Sequence, residues 1–199
     1  MSRNAEFTRK TRETEIVVKL NVDGDGKSAI DTGIGFMDHM LELFSFHGLF
    51  DIAVTARGDL KVDIHHTNED LGICLGQVFK KALGDCVGIK RFGSSEIPMD
   101  QARAKVSVNV SNRYAYRIAT PPGSDINHLR KEGYSFEDGS DFFESFAKNL
   151  NINLHIDVIS GTDLHHILEA IFKAMGVALD QATQIDPRRK EVPSTKGIL

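Results

Sequence analysis

The sequence is short of several things, and each shortage closes off a class of protein. Only two cysteines, Cys74 and Cys86, occur in 199 residues. That is too few for a disulfide framework, so a reducing cytoplasm is the expected setting. No apolar run approaches the roughly 18 residues that a membrane-crossing helix needs. The opening Met1-Ser2-Arg3-Asn4-Ala5-Glu6-Phe7 has no apolar stretch, and no secretory leader is expected there. Positive charge is in deficit, with 24 Lys and Arg against 28 Asp and Glu. A dedicated nucleic-acid binder is usually basic, so no nucleic-acid partner is expected. The sequence also contains no HExxH, GxGxxG, P-loop or CxxC signature. A hydrophobic content of 41% and a charged content of 26% exclude a collagen-like, coiled-coil or disordered chain. What is left is a globular chain long enough for one domain, or for two small lobes around one core.

Histidine is the residue that is present in an uneven pattern. Six of the eight histidines fall in two adjacent pairs and two satellites. His65-His66-Thr67-Asn68-Glu69 and His165-His166-Ile167-Leu168-Glu169 repeat one pattern, HHxxE, a hundred residues apart. Each copy opens a stretch with helical apolar spacing, carried first by Leu71, Cys74, Leu75, Val78, Phe79 and Leu83. Leu168, Ile171, Phe172, Met175 and Leu179 carry it in the second copy. A short strand precedes each motif, over 49–56 and 153–160. A further helix precedes each strand, over 36–46 and 141–150. At the start of each half, apolar alternation gives a strand: Ile16, Val18, Leu20 and Val22 in one, Val106, Val108 and Val110 in the other. The turns at 23–26 and 111–113 predict a hairpin return over 27–31 and over 114–119. Both halves then read ββαβα. The expectation is an α+β fold of two pseudo-symmetric lobes, 1–92 and 93–199, closed into one compact unit with sheets packed on helices. The segment 125–139 is polar and carries no core signal; it reads as a mobile connection.

Residues four apart on a helix share a face, whereas neighbours diverge by about 100°. His65 can therefore close on one ion with Glu69 while His66 looks elsewhere, and His165, Glu169 and His166 do the same. A single copy is equally well read as a helix start with solvated histidines; two copies in a repeat favour metal binding. His39 and His155 would each alone be ordinary helix and strand histidines. Together with the pairs they make six imidazoles and two carboxylates, which divide into two sets of three His and one Glu. Mixed nitrogen and oxygen donors of this kind suit Mn²⁺, Fe²⁺ or Zn²⁺. Arg91, Arg113, Lys173, Ser194 and Lys196 are candidate phosphate holders by residue type, though spacing alone reads them as solvated surface charges.

With these residues in view, the chain resembles the imidazoleglycerol-phosphate dehydratase family. The resemblance runs in order through Arg12-Glu13-Thr14, 33–40 (GIGFMDHM), 47–51 (HGLFD), 65–70 (HHTNED), 88–93 (GIKRFG), 154–156 (LHI), 165–170 (HHILEA), 186–189 (DPRR) and 193–197 (PSTKG). It implies a fold of the ribosomal protein S5 domain 2-like kind. It implies a metal-dependent hydro-lyase of histidine biosynthesis that takes water from imidazole glycerol phosphate to give imidazole acetol phosphate. It also implies two Mn²⁺ per active site and a homo-oligomer, a 24-subunit octahedral cage of trimers with active sites between subunits. The metal ligands become His39, His65, His66, Glu69, His155, His165, His166 and Glu169. Glu13 matches the acid/base glutamate, His47 lines the substrate site, and Arg91, Arg113, Lys173, Ser194 and Lys196 hold the phosphate. Leu43 departs from a glutamine common near the substrate, Ile64 from an aspartate before the histidine pair, and 112–115 from the usual Gly-Arg-Pro-Tyr. Two rival readings stay open from the residues alone. One is a dinuclear metallohydrolase of a phosphate ester, with Asp63, Asp70 or Asp163 as a bridging carboxylate. The other is a non-enzymatic His-rich metal-binding protein.

Overall fold

The computed structural model describes residues 3–198. The first half runs β1 (Asn4–Lys10), β2 (Thr14–Asn21), β3 (Ser28–Asp31), α1 (Gly35–Gly48), β4 (Asp51–Gly58) and α2 (His65–Leu83). The second half repeats it as β5 (Phe92–Met99), β6 (Ala102–Asn109), β7 (Ala115–Ala119), α3 (Phe136–Leu150), β10 (Asn153–Ser160) and α4 (Leu164–Thr183). Between β7 and α3 lie a 3-10 turn, Ile126–His128, and the small ribbon β8 (Arg130–Lys131) with β9 (Tyr134–Ser135). The two main sheets have matching orders, β1-β2-β4-β3 and β5-β6-β10-β7. The α+β, two-lobed expectation holds.

Each lobe differs from the ββαβα expectation in two ways. The first is an extra leading strand. β1 and β5 are edge strands with no run of buried apolar residues, alternating as NAEFTRK and FGSSEIPM. Pro98 is tolerated there because an edge leaves one row of amides unpaired. The second is that the expected hairpins do not form. β3 pairs in parallel with β4, and β7 in parallel with β10, so β4 and β10 each stand inside the supposed hairpin. A parallel pair needs a crossover, and α1 and α3 supply it. The 23–26 loop folds onto the start of β4 instead. The Asp51 carboxylate accepts from the amides of Asp25 (2.9 Å) and Lys27 (3.1 Å), and a Cβ on Gly24 would stand 2.5 Å from the Asp51 nitrogen.

The segment 125–139 is also folded. Ile126, Tyr134 and Phe136 are buried, and α3 begins five residues before 141 because Ser135 and Asp138 form a reciprocal capping box. The Tyr134 hydroxyl donates to Asn68 Oδ1 at 2.7 Å, tying this segment to α2.

The four helices lie between the sheets. α2 packs on β1 and β2, α4 on β5 and β6, while α1 lies along α4 and α3 along α2. Each first helix therefore packs on the second helix of the other lobe. Close approach is possible because small residues stand at the crossings. On α2, Gly72 and Gly76 meet α3 backbone; on α4, Gly176 meets α1 at Phe44 and Gly48. Between these crossings Phe44, Phe50, Phe79, Phe142, Phe143, Phe146 and Phe172 form one aromatic cluster. The outer faces of both sheets are left uncovered by any helix.

Candidate metal centre

Both HHxxE motifs sit on the first turns of helices held by an aspartate. Asp163 accepts from the His165 amide at 2.8 Å, and Asp63 from the His65 amide at 3.2 Å. The paired histidines diverge as their spacing requires: ring centroids are 6.1 Å apart in each pair, and each ring meets different partners.

On α4, His165, Glu169 and Lys173 form a stripe at steps of four. α1 runs beside it and presents His39. Its own entry is fixed by Asp38, which accepts from the Thr32 amide at 2.9 Å and from the Thr32 hydroxyl. His39 Nε2 lies 3.2 Å and His165 Nε2 2.9 Å from Glu169 Oε1. Lys173 Nζ donates to Glu169 Oε2 at 2.6 Å. One donor atom from each of His39, His165 and Glu169 lies within 4.8 Å of the others, which makes them a group able to hold a metal ion. Glu169 is 7% exposed. Burial works to raise its carboxyl, but hydrogen bonds from Lys173 and His39 outweigh it and hold the group below the usual range. His47, two turns after His39, is lowered by loss of hydration and by the charge of Lys173. The sequence assigns Leu43 to the same α1 face, between these two histidines.

The other candidate donors point to separate places. His65 stands 3.7 Å from Asp141 of α3, with Glu69 beside it at an open groove that also includes Glu144 and Lys148. His66 Nδ1 lies 3.1 Å from Asp59 Oδ2 and 4.0 Å from Glu13 Oε2; Glu13 is on the turn between β1 and β2. His166 Nδ1 lies 3.2 Å from Gln101 Oε1, and Gln101 is on the matching turn between β5 and β6. His155 is exposed on the outer face of the second sheet, beside Ser107, Asn109, Asn153 and Gln181. Among the described residues, then, one chain gathers His39, His165 and Glu169 and leaves the remaining five donors facing outward.

The phosphate candidates divide in the same way. Arg91 Nε donates to Asn109 Oδ1 at 3.0 Å and Nη1 to the Pro193 carbonyl at 2.8 Å, which brings the 193–196 segment beside it. Asn109 donates to Asn153, and Asn153 to the Arg113 carbonyl, so Arg113 joins the same corner as His155. The Ser194 hydroxyl accepts from the Lys196 amide at 3.2 Å. Lys173 does not join them; it touches Met99, and roughly 25 Å of β5 separates Met99 from Arg91. Asp59, Asn109, Asp141 and Asn153 were not singled out by sequence reasoning. Superposing the two halves of the repeat would have flagged Asp141, because it stands on α3 where His39 stands on α1.

Fold and site together define a two-lobed α+β protein with a candidate His–His–Glu metal centre. A sequence model described as imidazoleglycerol-phosphate dehydratase matches residues 32–179. The imidazoleglycerol-phosphate dehydratase of Thermoanaerobacter pseudethanolicus is 51% identical over 197 residues, covering 99% of this chain and 100% of its own. That of Bacillus licheniformis is 50% identical over 200 residues, with the same coverage. The crystal structure of the Pyrococcus furiosus enzyme in complex with (S)-C348 superposes with a TM-score of 0.82 at 36% identity, over 97% of this chain and 100% of that one. The Staphylococcus aureus enzyme gives 0.80 at 32% identity, over 92% and 99%. The chain belongs to the imidazoleglycerol-phosphate dehydratase family.

Proposed function

We propose that this chain is a metal-dependent hydro-lyase of histidine biosynthesis, removing water from imidazole glycerol phosphate to give imidazole acetol phosphate. The observation that carries the reading is the convergence of His39, His165 and Glu169 in a chain of this family. These three are the donors that would hold one ion, and their mixed nitrogen and oxygen chemistry fits Mn²⁺. Divalent ions, when bound, supply Lewis acidity toward the nitrogens of an imidazole ring.

The protein's own groups do the rest. Glu13 Oε takes the proton from the second side-chain carbon, the step expected of a positioned carboxylate base, while the hydroxyl on the carbon attached to the ring leaves with a proton from solvent as water. The enol that results tautomerises to the ketone. Its exposed place at a turn, beside His66, supports access to a substrate arriving from outside the chain. Arg91, Arg113, Ser194 and Lys196 grip the phosphate, and their binding energy aligns the ring. His47, near the charge of Lys173, lines the substrate site, and Lys173 reaches the phosphate of a site shared with another copy.

The directions of the donors support sharing between copies. His65, His66, Glu69, His155 and His166 complete two ion sites, each of three His and one Glu, only when other copies bring their own donors to them. A homo-oligomer, in the form of a 24-subunit cage of trimers with two Mn²⁺ per active site, satisfies this, and the open outer sheet faces give it surface. The lobes 1–92 and 93–199 act as one unit, supported by the exchange of helix contacts between them. Among the described residues no helix is long and apolar enough to cross a membrane, and both cysteines are free; these features support a cytoplasmic enzyme.

The test is to incubate Mn²⁺-loaded protein with imidazole glycerol phosphate and to measure ketone and inorganic phosphate together. Ketone without phosphate release is expected. Phosphate release would favour a metallohydrolase, and neither product a binding protein.

A further inference from the structure

The second histidine of each HHxxE motif is held from behind, and the two holders differ in kind. His66 Nδ1 meets the Asp59 carboxylate, at 3.1 Å to Oδ2 and 3.3 Å to Oδ1. His166 Nδ1 meets the Gln101 side-chain oxygen at 3.2 Å. Both holders are fixed locally. The Asp59 carbonyl accepts from the Val62 amide at 2.7 Å, closing a short turn, and the Gln101 carbonyl accepts from Ser160 Oγ at 3.1 Å.

An ionised carboxylate only accepts hydrogen bonds. Facing Asp59, a neutral His66 must therefore carry its proton on Nδ1, and the lone pair of Nε2 is left pointing outward. An amide can offer its oxygen or, after a flip, its NH₂ group. Gln101 can therefore satisfy either tautomer of His166, and with Asp100 Oδ2 standing 3.6 Å from His166 Nε2 nothing behind the ring keeps Nε2 free as a donor. The repeat sets these histidines in equivalent places on α2 and α4, so on the metal reading each would serve a different ion.

We infer that Asp59 is a positioning residue that locks His66 as an Nε2 metal donor, that Gln101 leaves His166 unlocked, and that the two ion sites consequently differ in affinity, with the His66 site the tighter. The inference rests on the metal reading given above. A carboxylate behind a ligating imidazole is worth about 10- to 100-fold in metal affinity, and an amide in the same place is worth less.

The experiment exchanges the two holders in the full chain. Mn²⁺ binding is measured by calorimetry for the wild type, Asp59→Asn and Gln101→Glu, and ¹⁵N spectra of the histidine rings are recorded on the metal-free proteins at neutral to mildly basic pH. The wild type is expected to show two unequal affinities, with His66 as the Nδ1–H tautomer. Asp59→Asn should weaken the tighter site about tenfold and leave the other unchanged; Gln101→Glu should tighten the weaker site by a similar factor. The spectra separate this from a folding defect, since Asp59→Asn should lose the single-tautomer signature of His66 while the signals of His39 and His165 stay in place. Two equal sites in the wild type, or no response to either exchange, would overturn the inference while leaving the metal reading intact. A wild type that binds no metal would overturn both.

Discussion

Gly176→Ala tests whether the packing of the helices sets the metal donors. Gly176 is where α4 passes α1 backbone to backbone. A Cβ there would stand 2.6 Å from the Phe44 carbonyl oxygen and 3.0 Å from the Gly48 nitrogen. Ordinary contact begins at 3.4 Å, so the helices must part by about 0.8 Å, because backbone cannot rotate aside as a side chain would. Overpacking of this kind costs about 1–3 kcal/mol, while alanine returns up to about 1 kcal/mol of helix propensity. With that return in full the net loss is about 0–2 kcal/mol, or up to roughly 8 °C in Tm for a chain of this length. The displacement should also reach the site, since His39 lies little more than one turn before Phe44 on the same helix and must stay 3.2 Å from Glu169. Gly76→Ala is the matched control. Its Cβ would stand 2.7 Å from the Phe146 carbonyl oxygen, with a similar stability cost, but at the α2–α3 contact. Thermal unfolding and Mn²⁺ calorimetry should therefore show both variants destabilised and only Gly176→Ala weakened in binding at the His39 cluster. Unchanged Tm and affinity in Gly176→Ala, or equal loss of affinity in Gly76→Ala, would show that the α1–α4 crossing does not set the donors.

Glu13→Gln keeps shape and hydrogen bonding but cannot accept a proton; kcat should fall by about 10²–10⁴ while metal content and assembly stay near wild type, and near-normal kcat would leave Glu13 outside the mechanism. Arg91→Ala and Lys196→Ala should each raise KM about ten- to a hundredfold through loss of a charged hydrogen bond, with metal content unchanged; normal KM in both would return them to the solvated surface. Imidazole must be neutral to ligate, so bound metal should be released as pH falls below about 5–6, and metal content unchanged at pH 4 would count against histidine ligation.

Much of this architecture is legible in the residues because the second half repeats the first. The HHxxE motifs, with their apolar helical stripes, locate α2 and α4, and i to i+4 spacing foretells that His165 and Glu169 meet. What escapes is what depends on neighbours. β1 and β5 are edge strands, and their alternation is carried mostly by residues such as Ala5, Arg9, Gly93 and Ser95 that give little apolar signal. The sequence turns at 23–26 and 111–113 look like hairpin turns, yet β4 and β10 intervene, because each is hydrogen-bonded to partners on both sides. Ligand counting assembles eight donors into two equal sets, whereas geometry closes one group of three in a single chain. Which helix face meets which is a tertiary fact: His39 lies 130 residues from Glu169 in sequence, and Asp141 lies opposite His65 for the same reason of helix exchange.

On the proposed reading, the active site closes only between copies. The direct measurement is complementation between His39→Ala, which breaks the cluster inside the chain, and His155→Ala, which removes a donor on the outer sheet face. Each variant alone, loaded with Mn²⁺, should be nearly inactive in ketone formation. Dissociated, mixed in equal amounts and reassembled with Mn²⁺, the two should recover activity, because some sites then draw an intact His39 from one chain and an intact His155 from another. A mixed assembly of normal size with no recovered activity would contradict the claim.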